Sequence, residues 1–180
     1  MSKIIFSNKT ILVTGSAGFI GSYLCKKILE SVDGVKIIGL DSITDYYDVS
    51  LKDERLAMLK TLNKDFTFIK GDIANKETVD SVFAQYKPSV VVNLAAQAGV
   101  RYSITNPEAY IQSNMIGFFN ILEACRANPV EHLVYASSSS VYGSNKKVPY
   151  STEDKVDNPV SLYAATKKSK FLLIMLNSVR

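Results

Sequence analysis

The chain has 180 residues, of which 47% are hydrophobic and 21% are charged, and its formal net charge at pH 7 is +4. This length and composition predict one folded globular domain over residues 1–180, and they exclude disordered, collagen-like and membrane-embedded chains. The basic residues occur in short scattered clusters, so the charge predicts no nucleic-acid partner.

The remaining composition predicts a soluble cytoplasmic protein without a metal. Residues 1–6 lack the apolar core of a signal peptide, and the longest apolar run, residues 171–176, is shorter than the ~20 residues of a membrane span. Cys25 and Cys125 each lie in a helical apolar pattern, which predicts buried thiols rather than a disulfide. The single histidine, His132, is expected to be structural, and no metal cluster is expected.

Five short apolar runs rich in β-branched residues predict strands. In chain order they are Thr10–Thr14, Val35–Leu40, Phe66–Ile69, Ser89–Leu94 and His132–Ala136. The central runs are continuously apolar, as expected for strands that are covered on both faces of a parallel sheet.

Amphipathic helices are predicted between these strands, because apolar residues recur there at intervals of three and four. The apolar stripes are Ile20, Leu24 and Ile28; Leu51, Leu59 and Leu62; Val79, Val82, Phe83 and Tyr86; and, in a helix over Tyr110–Cys125, Ile111, Met115, Phe118 and Leu122. A last helix is expected to begin near Ser161. The alternation predicts a doubly wound, Rossmann-like α/β fold with strand order 3-2-1-4-5 and a ligand crevice at the carboxyl ends of the strands.

A glycine-rich turn, TGSAGFIG, follows the first strand. Gly15 permits a tight turn, Gly18 lets a diphosphate approach the amides of a helix N-terminus, and Gly21 lets that helix pack closely on the sheet. Asp41, at the end of the second strand, can accept hydrogen bonds from ribose hydroxyls and repel a 2′-phosphate, which favours NAD over NADP. The alternatives are an ordinary strand-to-helix turn and an Asp41 that only caps the following segment.

Asp72 follows the third strand in the segment Lys70–Ile73. It is placed to hydrogen-bond the edge of an adenine ring. Alternatively, it is an acidic residue ahead of the third helix, and the two roles are compatible.

Tyr163 and Lys167 lie four residues apart on the last predicted helix, and therefore on one face. A phenol has a pKa of about 10 in water, so it acts as a base near neutral pH only when a cation stabilises the phenolate. Lys167 can supply that cation. The hydroxyls of Ser137–Ser140, which follow strand five, can relay a substrate proton to the tyrosine. The alternatives are a solvated helix face and an ordinary serine-rich loop.

Six motifs, in the family's order and at suitable spacing, resemble the extended short-chain dehydrogenase/reductase family. They are TGSAGFIG, Asp41, GDI (71–73), NLAA (93–96), SSSSVYG (137–143) and YAATK (163–167). The segments DYYDVSLKDERL, NLAAQAGVRYSITNPEAYIQSN and VDNPVSLYAATKK are similar to the UDP-glucuronate 4-epimerase branch. The resemblance implies NAD as cofactor, a UDP-sugar as substrate and a role in polysaccharide biosynthesis.

The resemblance also implies roles for individual residues. The implied cofactor-binding residues are Gly15, Gly18, Phe19, Ile20, Asp41, Asp72, Ile73, Leu94, Ala95, Ala96, Asn114, Tyr163 and Lys167. Tyr163 is implied as the base, Lys167 as its partner and Ser138 as an assisting hydroxyl. On the substrate side the implied residues are Gln97, Arg101, Ser138, Ser139 and Ser140.

The reaction implied by the resemblance is epimerisation of UDP-glucuronate to UDP-galacturonate. Tyr163 would take the C4 hydroxyl proton while the C4 hydride passes to NAD, and the 4-keto sugar would turn over before the hydride returns. Related dehydratases carry an Asp-Glu pair where this chain has Ser139 and Ser140, and decarboxylases carry a Glu at the second position. Without an acid there, epimerisation is favoured over dehydration and decarboxylation.

The resemblance breaks off after Lys168. The family continues there with a polar helix that contains a glutamate, whereas this chain has the largely apolar segment 169–176 and ends at Arg180. We therefore expect a C-terminally truncated chain that lacks the substrate domain. The alternative hypothesis is an NAD-binding fragment without turnover. The family's pairing through two helices implies a homodimer formed by the fourth and last predicted helices.

Overall fold

The computed structural model describes residues 5–62 and 64–178. Residues 1–4, which open the N-terminal segment considered above, and the C-terminal Arg180 lie outside the described residues. The strands are β1 (Thr10–Thr14), β2 (Lys36–Asp41), β3 (Phe66–Lys70), β4 (Val90–Asn93) and β5 (His132–Tyr135). All are parallel, in the order β3-β2-β1-β4-β5, so the predicted order is confirmed.

Helices connect the strands in the predicted α/β alternation. They are α1 (Phe19–Ser31), α2 (Ser50–Thr61), α3 (Lys76–Tyr86), α4 (Tyr102–Thr105), α5 (Pro107–Tyr110), a π-helical segment (Ile111–Ile116), α6 (Gly117–Ala127), a 3₁₀ turn (Ser139–Tyr142) and α7 (Leu162–Ser178). The Rossmann-like, doubly wound fold expected from the sequence is therefore present.

Strand β1 lies at the centre of the sheet and fixes where its neighbours end. Thr14, its last residue, is level with Leu40 in β2 and with Asn93 in β4. The buried Thr14 hydroxyl donates a hydrogen bond of 2.7 Å to Asn93 Oδ1. The carboxyl ends of three strands therefore meet at one edge, where parallel sheets bind their ligands.

Two apolar layers cover the sheet because side chains of a strand alternate between its faces. On one face Leu12 of β1 packs in a cluster with Val79 and Phe83 of α3 and Ile121 of α6. On the other face Ile11, Val13, Ile37, Val90 and Val92 pack with Cys25, Leu29 and Leu59 of α1 and α2. Strands that are covered on both faces account for the continuous apolar runs in the sequence.

Two predicted apolar stripes are wrong at their first residue. Ile20 is 68% exposed and Leu51 is 42% exposed, whereas Cys25 and Leu29 form the buried contact of α1. In α2 the inward position next to Leu51 is taken by Lys52, which is 4% exposed. The later residues of both stripes do face the core, since Leu59 is buried and Leu24, Ile28 and Leu62 pack against the same cluster. The first residues are exposed because both helices begin at the ligand edge of the sheet, where the chain leaves the core.

The helix predicted over Tyr110–Cys125 contains a register change. The chain turns helical at Pro107, whose fixed φ suits the first helical position, and the π-helical segment then adds a residue to one turn. After that segment Gly117 approaches the β3–α3 connection, where a Cβ would lie 2.5 Å from Ile73 Cγ1. Periodicity alone predicts one uniform helix here, because apolar residues continue on both sides of the change.

Strand β5 forms an edge of the sheet in the described chain. Its residues alternate between exposed and half-buried, and Val134 is 41% exposed.

Cys25 is buried and Cys125 half-buried, and both are free thiols. Burial raises the pKa of each thiol to about 12. Among the described helices, none is both long and apolar enough to cross a membrane.

The connection after β3 depends on one buried amide, and this can be tested. Asn120 Nδ2 of α6 donates to the carbonyl oxygens of Ile73 at 2.9 Å and Ala74 at 3.0 Å. We expect Asn120→Ala to lower the free energy of unfolding by about 1–3 kcal/mol, because two carbonyls lose their donor. Urea unfolding followed by circular dichroism measures the change. The control is Gln85→Ala on the exposed face of α3, and equal midpoints for the two variants would contradict the assignment.

Candidate active site

The glycine-rich turn leaves β1 in a space without room for side chains. Gly15 has φ +72°, and a Cβ on it would lie 2.8 Å from Ala95 N. A Cβ on Gly21, in the first turn of α1, would lie 2.1 Å from Gly15 O. The Gly15 amide donates to Leu40 O at 2.8 Å and so ties the turn to β2. The turn is held against the sheet by α1 on one side and by the segment after β4 on the other.

The N-terminus of α1 is suited to an anion. Gly18 occupies the N-cap position in an extended conformation and provides no side-chain cap. The first amides of a helix have no intrahelical acceptor, and the helix dipole makes this end positive. Phe19 and Ile20 are 67% and 68% exposed, so the groups they can offer a diphosphate are their backbone amides.

Asp41, at the end of β2, lies beside the glycine-rich turn and the N-terminus of α1. Its Oδ2 accepts from Ala17 N at 3.0 Å and its Oδ1 from Ile43 N at 2.9 Å. The side chain therefore does cap the following segment, as one alternative held, and it also lines a cavity. Each carboxylate oxygen has a second lone pair, so the two roles are compatible.

A cavity of about 200 Å³ lies at this carboxyl edge of the sheet. The residues lining it that were predicted from the sequence are Gly15, Gly18, Asp41, Asp72, Ile73, Leu94, Ala95, Ala96 and Gln97. Those that were not predicted as site residues are Leu40, Ser42, Thr44, Tyr46, Tyr47, Lys52, Gly71, Ala98 and Ser113. The structure thus brings most of the predicted cofactor residues into one cavity.

Lys52 is a lining residue that sequence reasoning missed. Its ammonium donates to Thr44 O at 2.7 Å and to Thr44 Oγ1 at 3.2 Å, and it lies 4.9 Å from the centroid of the Tyr47 ring. Burial lowers the pKa of Lys52, and the nearby Asp41 carboxylate opposes that shift. The available signal was the spacing of Lys52, Leu56 and Leu59, which share one face of α2.

Asp72 shapes the turn after β3. Its Oδ1 accepts a hydrogen bond from Ala74 N at 2.8 Å, and Asp72 also lines the cavity. The N-cap of α3 is Asn75, whose side chain accepts from Thr78 N. Helix capping is therefore the function of Asn75, and Asp72 remains a candidate for the adenine contact.

Asn114, which was expected at the cofactor cleft, lies behind the residues that line the cavity. It is fully buried, and its Oδ1 accepts from Gln97 N at 3.0 Å. Its Nδ2 donates to Gln97 O at 3.0 Å and to Thr166 Oγ1 at 3.1 Å. Ser113 lines the cavity from the same π-helical segment. Asn114 therefore connects the segment after β4 to α7.

Tyr163 and Lys167 share a face of α7, as predicted. Lys167 Nζ lies 5.9 Å from the Tyr163 ring centroid and donates to Ala136 O at 3.1 Å, just past the end of β5. Burial lowers the pKa of Lys167, and contact with the Lys170 side chain opposes the shift. The pair therefore lies at the ligand edge of the sheet, with its lysine largely shielded from water.

The serine segment lies against the helix that carries this pair. Ser138 caps the 3₁₀ turn by accepting from Ser140 N at 3.2 Å, and α7 packs on that turn. Ser138 and Ser140 are half-buried and Ser139 is exposed. Arg101 is exposed ahead of α4 and does not line the cavity. The structure thus brings the serines beside α7 but leaves Arg101 apart.

Lys170 is a second buried amine on α7 that the sequence analysis did not single out. It has 0% exposure, and its Nζ lies 4.7 Å from the centroid of the Phe118 ring. Within the described chain its amine meets no carbonyl, hydroxyl or carboxylate acceptor. Burial, followed by the charge of Lys167, lowers the pKa of Lys170 to about 7.

Comparisons with known proteins agree with this fold. The sequence model of the family described as GDP-mannose 4,6 dehydratase matches residues 12–176. Protein CapI of Staphylococcus aureus is 57% identical over 164 residues, which cover 91% of this chain and 48% of that protein. A UDP-glucuronate 4-epimerase of Arabidopsis thaliana is 50% identical over 161 residues, which cover 89% of this chain and 36% of the plant protein.

A solved structure has the same architecture. UDP-glucuronic acid 4-epimerase from Bacillus cereus, in complex with UDP-glucuronic acid and NAD, superposes with a TM-score of 0.85 at 33% sequence identity. The superposition covers 95% of this chain and 52% of that one. The chain thus spans about half the length of most of these relatives.

The close packing of Gly21 against Gly15 can be tested by comparing alanine substitutions at Gly21 and Gly18. We expect Gly21→Ala to lower the free energy of unfolding by about 1–3 kcal/mol, because its Cβ would overlap Gly15 O. Gly18→Ala is the matched control, since its Cβ would lie 3.1 Å from the same oxygen at a negative φ. Urea midpoints measure both. A Gly21→Ala variant with the same midpoint as the parent would show that α1 is not held by close contact at residue 21.

The buried Lys170 predicts a pH dependence of stability. Its pKa is about 7 in the folded chain and about 10.5 when exposed, so above pH 7 the unfolded state binds more protons and the stability contribution rises with pH. The penalty is fully present below pH 7. Between pH 7 and pH 9 the parent should gain about 2 kcal/mol of unfolding free energy relative to Lys170→Met. Urea unfolding at the two pH values measures this gain, and parallel pH profiles for the two proteins would contradict it.

Proposed function

Since the chain belongs to the GDP-mannose 4,6 dehydratase family, we propose that residues 1–180 are the NAD-binding and acid–base part of an epimerase that converts UDP-glucuronate to UDP-galacturonate. The observation that carries the proposal is the sharing of one sheet edge by the uncapped N-terminus of α1, the Asp41 carboxylate and the Tyr163–Lys167 pair. The plant relative and the Bacillus cereus structure, both named UDP-glucuronate 4-epimerases, support this choice of reaction.

The residues at the cavity fit NAD. The uncapped amides after Gly18 suit the diphosphate, and Asp41 has lone pairs available for ribose hydroxyls. Asp72 and Ile73 are proposed to contact the adenine, and the segment Leu94–Ala96 to form the wall of the cleft. When bound, NAD supplies the hydride acceptor and donor for C4 of the sugar.

Proton transfer is assigned to α7. The Tyr163 phenolate accepts the proton of the C4 hydroxyl and gives it back to the C4 oxygen after the sugar has turned over. Lys167, held by Ala136 O, stabilises the phenolate with its charge. Ser138, on the turn packed against α7, is proposed to hydrogen-bond the sugar oxygen during the transfer.

The substrate side distinguishes this reaction from those of related enzymes. Gln97 lines the cavity, and Ser139 and Ser140 are proposed to face the sugar and its carboxylate, with Arg101 as a further contact. Since residues 139 and 140 are serines, they cannot supply the acid and base that elimination or decarboxylation requires. A dehydratase or a decarboxylase is therefore the less favoured alternative within the family.

A second candidate function is NAD binding without turnover. It is favoured by the cavity, which is lined by residues suited to NAD but not by Tyr163 or by Ser138–Ser140. Homodimerisation is also proposed, through α6 and α7, where Phe119 and Leu172 are 44% and 51% exposed. The cytoplasmic location and the role in polysaccharide biosynthesis stay predictions.

The reaction is tested by incubating the chain with NAD and UDP-glucuronate and separating the sugar nucleotides by chromatography. UDP-galacturonate from the parent, and none from Tyr163→Phe, is the expected result. Carbon dioxide release or a dehydrated sugar would contradict epimerisation. NAD binding without any product would support the second candidate function.

Asp41 is expected to control both affinity and the choice between NAD and NADP. Asp41→Asn keeps one acceptor oxygen but removes the charge, so the affinity for NAD should fall about tenfold. The preference for NAD over NADP should narrow, because repulsion of a 2′-phosphate is lost. Isothermal titration with each dinucleotide measures both effects. The control is Asp80→Asn on the exposed face of α3, and an Asp41→Asn variant that keeps the parent's preference would exclude the proposed ribose contact.

A further inference from the structure

Tyr110 is the largest side chain among the fully buried residues of the described chain, and it lies between the cavity wall and Tyr163. We propose that Tyr110 is a positioning residue of the candidate active site. Its hydroxyl fixes the wall at Ala98 and Gly99, and its ring edge sets the orientation of the Tyr163 ring. The second statement rests on the proposed role of Tyr163 as the base.

The hydroxyl of Tyr110 holds a tight turn next to the cavity. It donates to Ala98 O at 2.8 Å and Gly99 O at 2.5 Å, two carbonyls that share its single proton. Gly99 has φ +97°, and a Cβ on it would lie 2.9 Å from the Tyr46 hydroxyl. Ala98 and the preceding Gln97 both line the cavity. Removing the Tyr110 hydroxyl would therefore release the part of the wall that follows β4.

The ring of Tyr110 makes an edge contact with Tyr163. Their centroids are 5.9 Å apart and their planes meet at 77°, a favourable arrangement for two aromatic rings. On its other side Tyr110 lies 6.3 Å from Tyr102, which in turn lies 4.9 Å from Tyr46 at the cavity. The four rings form a continuous row from the cavity to α7. Because Tyr110 is fully buried within this row, the Tyr163 ring has a fixed neighbour on one side.

The Tyr110 phenol at this contact favours its protonated form. Burial raises the pKa of Tyr110, the charges of Tyr46, Tyr163 and Tyr102 act in the same direction, and the Gln97 side chain opposes them. Tyr110 therefore stays protonated and remains a donor to Ala98 and Gly99 when Tyr163 carries a negative charge. A neutral neighbour adds no second charge against the Tyr163 phenolate, so the proton-accepting function stays with Tyr163.

Two substitutions separate the hydroxyl from the ring. Tyr110→Phe keeps the ring edge and removes the hydroxyl, whereas Tyr110→Leu removes both. The readouts are hydrogen exchange of the amides of residues 97–100 and the ¹³Cζ resonance of Tyr163 in tyrosine-labelled protein, titrated with pH. That resonance is assigned by its loss in Tyr163→Phe. The control is Tyr150→Phe, because Tyr150 does not line the cavity. Its ring stacks on that of Tyr142, with 4.4 Å between the two centroids.

We expect Tyr110→Phe to speed exchange at residues 97–100 about fivefold, the factor that corresponds to one hydrogen bond of ordinary net strength, and to leave the Tyr163 resonance and its titration midpoint in place. Tyr110→Leu should show the same faster exchange. It should also change the chemical shift of the Tyr163 resonance and the midpoint of its titration. If Tyr110→Leu does not fold, as judged by circular dichroism, Tyr110→Met replaces it. Unchanged exchange in Tyr110→Phe, or an unmoved Tyr163 resonance in the variant without the ring, would overturn the proposal.

The same samples separate this inference from the proposed function. Titration of the parent with NAD tests the proposed function, and an absence of binding would count against that function alone. The exchange rates and the Tyr163 resonance are measured without NAD. They therefore decide the role of Tyr110 whatever the result of the titration.

Discussion

The close contact between the glycine-rich turn and its surroundings is the constraint on which the rest of the site depends. Gly15 N is held by Leu40 O, while the space beside Gly15 is filled by Ala95 and the space beside Gly21 by Gly15 O. This contact brings the N-terminus of α1 over the carboxyl ends of β1, β2 and β4. The same approach places Ala17 N within reach of Asp41, so the carboxylate and the uncapped helix end face one cavity. Because Gly15 and Gly18 carry no side chain, a ligand can approach the backbone amides there directly.

The ligand edge also contains several of the polar groups that the fold buries. Thr14 and Asn93 hydrogen-bond each other at the ends of adjacent strands. Ser16 Oγ and Asn93 Nδ2 have no partner among the described residues, although both are buried. A buried group without a partner costs roughly 1–3 kcal/mol, so such groups mark regions where stability alone does not determine the sequence. Their position beside the glycine-rich turn is consistent with a site that is organised for binding.

Much of this site could be predicted because its signals are local. The strand order, the glycine-rich turn, Asp41 and the Tyr163–Lys167 spacing each follow from short segments and from the handedness of βαβ units. Tyr110 could not be identified in this way, since it acts through contacts with the segment after β4 and with Tyr163 of α7. Lys52 was missed although its partners Thr44 and Tyr47 are close in sequence. Hydrophobic periodicity assigns a lysine to the solvent-exposed face of a helix, even where its side chain points inward. The hydrogen bonds of Asn114 could not be predicted either, since the π-helical segment directs its amide to Gln97 and Thr166. Its contact with a cofactor stays a prediction.

Three contacts within the described chain connect the cofactor side of the site to the helix that carries the proposed base. Asn114 joins Gln97 to Thr166, Tyr110 joins Gly99 to Tyr163, and Lys167 is held by Ala136 at the end of β5. Each contact joins α7 to the carboxyl edge of the sheet, and none of them requires a group outside these 180 residues. The distance between the cavity and Tyr163 is therefore set by the same buried contacts that dock α7. The relative placement of the cavity and the proposed base is thus a property of this part of the fold.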